Sequence, residues 1–265
     1  NQPFSVTRFV YARLKCWSQQ VLHMKSALEI LCEKLHFMKL NLARSAGIRG
    51  GMKVIDIGCG QGTFTICVAE LVGETGKVTA IDISDEDLDE MKHNLERFRV
   101  RSQVTFVKAD AAELSHVFSP ESFDIAVSYR LIEELKQPTQ LPKIVSSIAE
   151  VVKRGGRVVM FELSTETRGI AEENLIRLHS DIGKDYFPSR ETILRCLRSA
   201  GLNKVEVETV PTKISYSGEV FLKSNISQDE VFPEFKERIM KELWPSIEQY
   251  GMKYPDIRMF YGHKP

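Results

Sequence analysis

The chain has 265 residues, 43% of them apolar and 27% charged, with 36 Lys/Arg balanced by 36 Asp/Glu. That content supports one large domain, or a domain with an appended cap, and excludes a disordered chain. No apolar run approaches the roughly 18–20 residues that a membrane span needs, so none is expected.

The amino end lacks the basic-then-apolar block of a secretory leader. The five cysteines are odd in number and form no C-x-x-C pair. This favours a reducing, cytoplasmic setting and argues against a metal centre, so no metal site is expected.

Residues 1–50 carry eight Lys/Arg against two Glu, a basic excess that the rest of the chain offsets. Apolar residues at Trp17, Val21, Met24, Leu28, Leu31, Leu35 and Met38 mark one helical stripe, ended by Gly47 and Gly50-Gly51. Phe4, Phe9 and Tyr11 precede it in a looser segment. A helical cap is therefore expected over 1–50, with the main domain over 51–265.

From Lys53 the pattern alternates strand and helix: strands over 53–57, 78–83, 104–107, 123–128 and 157–163, helices over 63–72 and 141–153. Ser84 is expected to cap a helix whose first turn holds Asp85, Glu86 and Asp87, and Gly155-Gly156 to end the helix before strand five. Such alternation predicts a parallel sheet with helices on both faces. Residues 166–187 then read as a helical insertion with Leu175, Leu178 and Ile182 inward. Ser189 caps a helix ending at Gly201, and a sixth strand spans 205–210. A second insertion, 214–254, has Phe232, Phe235, Ile239, Leu243, Trp244 and Ile247 on one side, broken at Pro245. A last strand spans 257–261.

The chemistry concentrates in Val54-Ile55-Asp56-Ile57-Gly58-Cys59-Gly60-Gln61-Gly62-Thr63. A buried strand runs into a turn of alternating glycines, which tolerate positive φ and let a ligand approach the main chain. A dinucleotide fingerprint needs a third glycine where this chain has Thr63, which places a NAD-dependent oxidoreductase last among the readings. Asp82 ends strand two, 20 residues beyond Gly62, where a carboxylate can accept two ribose hydroxyls. Asp110 follows strand three. Acids at the ends of three consecutive strands converge on the crevice outside the strands' carboxyl ends.

This glycine turn with Asp56, Asp82 and Asp110 resembles the class I S-adenosylmethionine (SAM) methyltransferases, and most of all the small-molecule, ubiquinone/menaquinone-biosynthesis-type branch. The resemblance implies a Rossmann-like α/β sheet of seven mostly parallel strands in the order 3-2-1-4-5-7-6, with the last strand antiparallel and helical cap insertions. It implies SAM as cofactor and S-adenosyl-L-homocysteine as product. It places the cofactor against Asp56, Gly58, Cys59, Gly60, Gly62, Asp82, Ile83, Asp110, Ala111 and Ser128, with Asp56 near the ammonium group, Asp82 on the ribose and Asp110 at adenine.

Strand four closes with Ser128-Tyr129-Arg130-Leu131 and lacks the Asn/Asp-Pro-Pro-Tyr/Phe motif of base-amine methyltransferases, so nucleic acid is not an expected acceptor. Tyr129 and Arg130 are candidates for the pocket wall, and His179 and Tyr186, in the first insertion, for the acceptor side; Tyr129, His179 and Tyr186 are the catalytic candidates. Glu133-Glu134 reads as a helix start or a solvated charge pair. The expected function is methyl transfer to a small, partly apolar acceptor. The alternatives are a methyltransferase acting on tRNA or protein through the basic segment, or a SAM-binding module without catalysis.

Overall fold

Val54, Ile55 and Ile57 are buried in strand β1 (Lys53–Ile57), the continuous apolar pattern of a strand covered on both faces. In the computed structural model, which describes residues 26–226 and 233–265, β1 lies mid-sheet. It pairs in parallel with β2 (Lys77–Asp82) and with β4 (Phe123–Tyr129). Outward on one side, β3 (Val104–Lys108) pairs in parallel with β2; on the other, β5 (Val152–Leu163) pairs in parallel with β4. Two-residue strands β7 (Ser215–Tyr216) and β8 (Met252–Lys253) form a separate ribbon. Strand β6 (Asn203–Val210) pairs antiparallel with β9 (Ile257–His263), and the sheet order is β3-β2-β1-β4-β5-β9-β6. The seven strands and their order agree with the expectation.

The helices are α1 (Ala27–Ser45), α2 (Thr63–Val72), α3 (Leu88–Arg97), α4 (Leu141–Val151), α5 (Ile170–Arg177), α6 (Arg190–Ser199), α7 (Gly218–Phe221), α8 (Pro233–Glu242) and α9 (Trp244–Tyr250). On α1, Leu31, Leu35 and Met38 are buried as the stripe predicts. Phe4, Phe9, Tyr11, Trp17, Val21, Met24 and Phe232 lie outside the described residues.

The described chain divides into two compact units. One, formed by 39–162, 188–210 and 257–265, contains the sheet and α2, α3, α4 and α6. The other holds 26–38, 163–187, 211–226 and 233–256. In the second unit Leu175, Leu178 and Ile182 are buried, and Asn174 ties α5 to the turn after α9: its Nδ2 donates to the Gly251 carbonyl and its Oδ1 accepts from Ser246. Pro245 sits in the first turn of α9, just past the break at Leu243 that ends α8.

Two local expectations are corrected. Ser84 does not cap α3, which begins at Leu88 with Asp87 in the cap position and no side-chain cap bond. Its Oγ accepts the Glu86 amide while its own amide donates to Asp82, so the chain spends residues 84–87 on a turn held by the end of β2. The Gly155-Gly156 pair does not end α4 either; the helix stops at Val151 and the glycines lie within β5. A Cβ at Gly156 would come within 2.6 Å of the Asp124 carbonyl, so this pair permits a close strand approach where the β4–β5 register shifts. Ser189 does cap α6, accepting the Thr192 amide at 3.2 Å.

Candidate functional site

The turn between β1 and α2 is held to β2 by main-chain bonds: the Gly58 and Cys59 amides both donate to the Ile81 carbonyl at 2.9 Å. Gly58, Gly60 and Gly62 all have positive φ. Their surroundings differ. A Cβ at Gly62 would come within 2.7 Å of Met91 Cγ, whereas at Gly60 it would meet nothing within 4 Å. The turn is thus packed against α3 at Gly62 and open at Gly60.

Asp82 closes this arrangement. Its Oδ2 accepts the Gly60 amide at 3.0 Å and its Oδ1 accepts the Ser84 amide at 3.1 Å. The next residue, Ile83, is 64% exposed, a large apolar side chain left uncovered beside a half-buried carboxylate. Asp110 follows β3 and caps the short 3-10 turn Ala111–His116, accepting the Ala112 amide through Oδ1 at 2.8 Å. The sheet register sets Ile57 beside both Ile81 and Ser128, so the ends of β1, β2 and β4 lie side by side. Ser128 Oγ is buried with no hydrogen-bond partner among the described residues.

Asp56 is buried and accepts the Thr65 hydroxyl at 2.6 Å. Burial pushes its carboxyl up to about 7; the Thr65 bond works against the shift and the nearby Asp82 charge adds to it. Burial also holds the Cys59 thiol well above its usual range, and its Sγ packs on Met91 Sδ at 3.8 Å.

Tyr129 ends β4 and stacks on Phe64 of α2, with ring centroids 5.3 Å apart and planes inclined by 16°. Lys39 Nζ lies 5.7 Å from its ring centroid and donates to Thr63 Oγ1 at 2.9 Å. Glu133 lies in the 3-10 turn Ile132–Glu134, as its reading as a helix start has it, but the alternative of a solvated charge is corrected. Arg130 is fully buried with φ 57° and pairs through Nε with Glu133, which is buried too, so neither is a solvated group. Glu162, at the end of β5, accepts the Ile132 amide and is raised by burial and by the Glu133 charge.

His179 and Tyr186 fall in the other unit. His179 is fully buried in the π-turn Leu178–Gly183, with Nδ1 2.7 Å from Asp185 Oδ2. The Asp185 amide donates to the His179 carbonyl, and Arg238 donates to the Asp181 and Ile182 carbonyls, so the turn is clamped at both ends. Tyr186 follows it, partly exposed.

Sequence reasoning missed Lys39, and also Asn94, whose Nδ2 donates to the Gln61 carbonyl and steadies the glycine turn. The i, i+3 spacing of Arg130 and Glu133 was the available signal for that pair.

Residues 48–197 match the family described as "Methyltransferase domain". The chain belongs to that family. The class I resemblance read from the glycine turn and the three acids is borne out, and the cofactor of the class is S-adenosyl-L-methionine. Over 120 residues the chain is 35% identical to the ubiquinone/menaquinone biosynthesis C-methyltransferase of Psychromonas ingrahamii, covering 45% of this chain and 46% of that protein. It is 32% identical to a probable cobalt-precorrin-6B C(15)-methyltransferase (decarboxylating) of Saccharolobus solfataricus, covering 45% and 57%. The chain spans about half the length of the curated relatives it matches.

The fold is similar to a cyclopropane-fatty-acyl-phospholipid synthase-like protein of Lactobacillus casei (TM-score 0.65, 16% identity, 92% of this chain and 95% of that one). It is also similar to phosphoethanolamine N-methyltransferase 2 of Haemonchus contortus, solved with S-adenosylhomocysteine (TM-score 0.58, 21% identity, 89% and 57%). Among the described residues of this family member, no helix is long and apolar enough to cross a membrane.

Proposed function

We propose that this chain is an enzyme that moves a methyl group from SAM to a small, partly apolar acceptor by in-line displacement. The observation that carries this reading is the tie between Gly60 and Asp82, which sets a carboxylate at the end of β2 beside the open glycine turn and the uncovered Ile83. Such a site fits a nucleoside: Asp82 for the ribose hydroxyls, Ile83 against adenine, Asp110 and Ala111 at the adenine edge. Gly58, Cys59, Gly60, Gly62 and Ser128 form the floor for the methionine end, and Asp56 meets its ammonium group. The cofactor supplies a methyl group on a positively charged sulfur and leaves as S-adenosyl-L-homocysteine.

What remains for the protein is positioning and exclusion of water. Tyr129, immobilised on Phe64, is the aromatic wall beside the transferring methyl. His179, whose Nδ1 lies 2.7 Å from Asp185 Oδ2, is the candidate base for acceptors that must lose a proton. Tyr186, which follows the turn that carries His179, is the second acceptor-side candidate. The C-methylating relatives favour an acceptor of the quinol or tetrapyrrole size class.

The test is equilibrium binding of SAM to the purified chain, followed by incubation of radiolabelled SAM with a small-molecule extract. Binding with label appearing in small molecules is expected. Absence of binding sinks the reading, and binding with no transfer to any fraction favours the non-catalytic module.

A further inference from the structure

Glutamate is seldom buried unless its carboxyl is answered, because its charged form loses water at high cost. Glu162, at the end of β5, is 7% exposed and has no part in the methyl transfer described above. Burial and the Glu133 charge push its carboxyl upward, against the pull of the Ile132 and Leu131 amides and of Arg130. Its Oε1 accepts the amide of Ile132, which opens the 3-10 turn that follows β4.

The chain leading into that turn is held in an unfavourable shape. Arg130 takes φ 57°, a left-handed conformation that crowds its Cβ, while buried and paired with Glu133. Such strain persists only where the surroundings over-determine it, and it clusters at ligand sites. Here β5 supplies the constraint. The Phe161 carbonyl accepts the Arg130 amide at 2.7 Å, and Glu162 accepts the Ile132 amide at 3.3 Å. Leu131 is thus gripped from both sides.

What that grip places is the leucine side chain. A Cβ at Gly58 would come within 2.7 Å of Leu131 Cδ1, so the leucine fills the space beside the first glycine of the cofactor turn. The Gly58 amide is itself fixed to the Ile81 carbonyl. Because β1 lies between β2 and β4, Leu131 reaches the turn from the β4 side, whereas Asp82 reaches it from the β2 side.

We propose, on the cofactor reading above, that Glu162 and Leu131 position the methionine end of SAM: Glu162 holds the loop after β4, and Leu131 rests on Gly58. The nucleoside end, on Asp82, Ile83 and Asp110, does not depend on them.

Calorimetric titration of the full chain with S-adenosylhomocysteine and with methylthioadenosine tests this, since both are adenosine thioethers and only the first carries the amino-acid end. Wild type is expected to prefer S-adenosylhomocysteine. Glu162→Met loses about tenfold on that ligand, the size of one hydrogen-bonded contact, and keeps methylthioadenosine within about twofold. Glu162→Gln retains an oxygen that accepts the Ile132 amide, so both affinities stay within about threefold of wild type. Leu131→Ala leaves the buried charges in place and repeats the selective loss, which covers the case of a Glu162→Met that does not fold. Equal weakening of both ligands by either Glu162→Met or Leu131→Ala overturns the proposal, because general loosening of the sheet produces that. Undiminished binding of S-adenosylhomocysteine by Leu131→Ala overturns it too, as does a Glu162→Gln no better than Glu162→Met. A wild type that binds both ligands equally overturns it and leaves the nucleoside site standing; one that binds neither overturns the cofactor reading as well.

Discussion

The Gly60 amide donates to Asp82 Oδ2 at 3.0 Å, which ties the turn after β1 to the end of β2. With the Ser84 amide on Oδ1, the carboxylate is held from both sides before any ligand arrives. Such preorganisation leaves its remaining lone pairs aimed without further ordering cost. Asp82→Ala is expected to weaken SAM binding by about tenfold or more, and to lower stability by about 1 kcal/mol through the lost amide contacts. Titration calorimetry checks the first effect and urea denaturation the second. Undiminished affinity means the ribose lies elsewhere.

Gly60 and Gly62 separate folding from binding. Both need positive φ, so alanine costs about 1 kcal/mol of backbone strain at either. At Gly62 the new methyl also meets Met91 Cγ, and Gly62→Ala is expected to lose a further 1–3 kcal/mol, roughly, by overpacking. Gly60→Ala meets only open space, so its stability loss stays at the strain value while SAM affinity falls steeply. Paired melting and binding curves on the two variants distinguish these outcomes.

Asp56 makes stability depend on pH in an uncommon direction. Its folded carboxyl is raised from 3.8 to about 7. Between those values the unfolded chain has lost a proton that the folded chain keeps, so the contribution is fully present below about pH 4 and is lost as pH rises to about 7. Asp56→Asn keeps an acceptor for Thr65 and removes the titration. Its melting temperature relative to wild type should climb from pH 4 to 7 and level off above. A difference that is flat with pH contradicts the assignment.

Arg130 and Glu133 are both fully desolvated, and removing either leaves its partner's charge buried. Arg130→Leu and Glu133→Leu are each expected to cost about 3–5 kcal/mol, while the double variant Arg130→Leu/Glu133→Leu loses much less than their sum. Denaturant melts of the four proteins give the coupling directly.

The proposed base role of His179, oriented by Asp185, predicts an effect on transfer and none on cofactor binding. His179→Gln is expected to leave SAM affinity within about twofold and to lower transfer to a proton-losing acceptor by about 10²–10⁴-fold. Asp185→Asn lowers it in the same sense, with Asp185→Glu recovering part. Label transfer from radiolabelled SAM, measured beside titration calorimetry, separates the two effects.

Much of the fold was legible because it rests on local rules. The apolar run through Ile57 and the alternating glycines can form only a buried strand and a tight turn, and acids at Asp56, Asp82 and Asp110 mark three strand ends that a parallel sheet brings to one side. Hydrophobic periodicity and glycine sterics act over a few residues, so the order of elements followed from the chain alone, and the family from what its glycine turn and three acids resemble. The seven-strand order came from the resemblance, and the structure bears it out. Pairings between residues far apart in sequence were not legible: Lys39 on Thr63, Asn94 on Gln61, and Glu162 on the Ile132 amide beside the buried Arg130–Glu133 pair. A charge looks the same in sequence whether water or protein surrounds it. Only the packed structure decides which, because desolvation is a property of all the atoms that close around a group and of none of them singly.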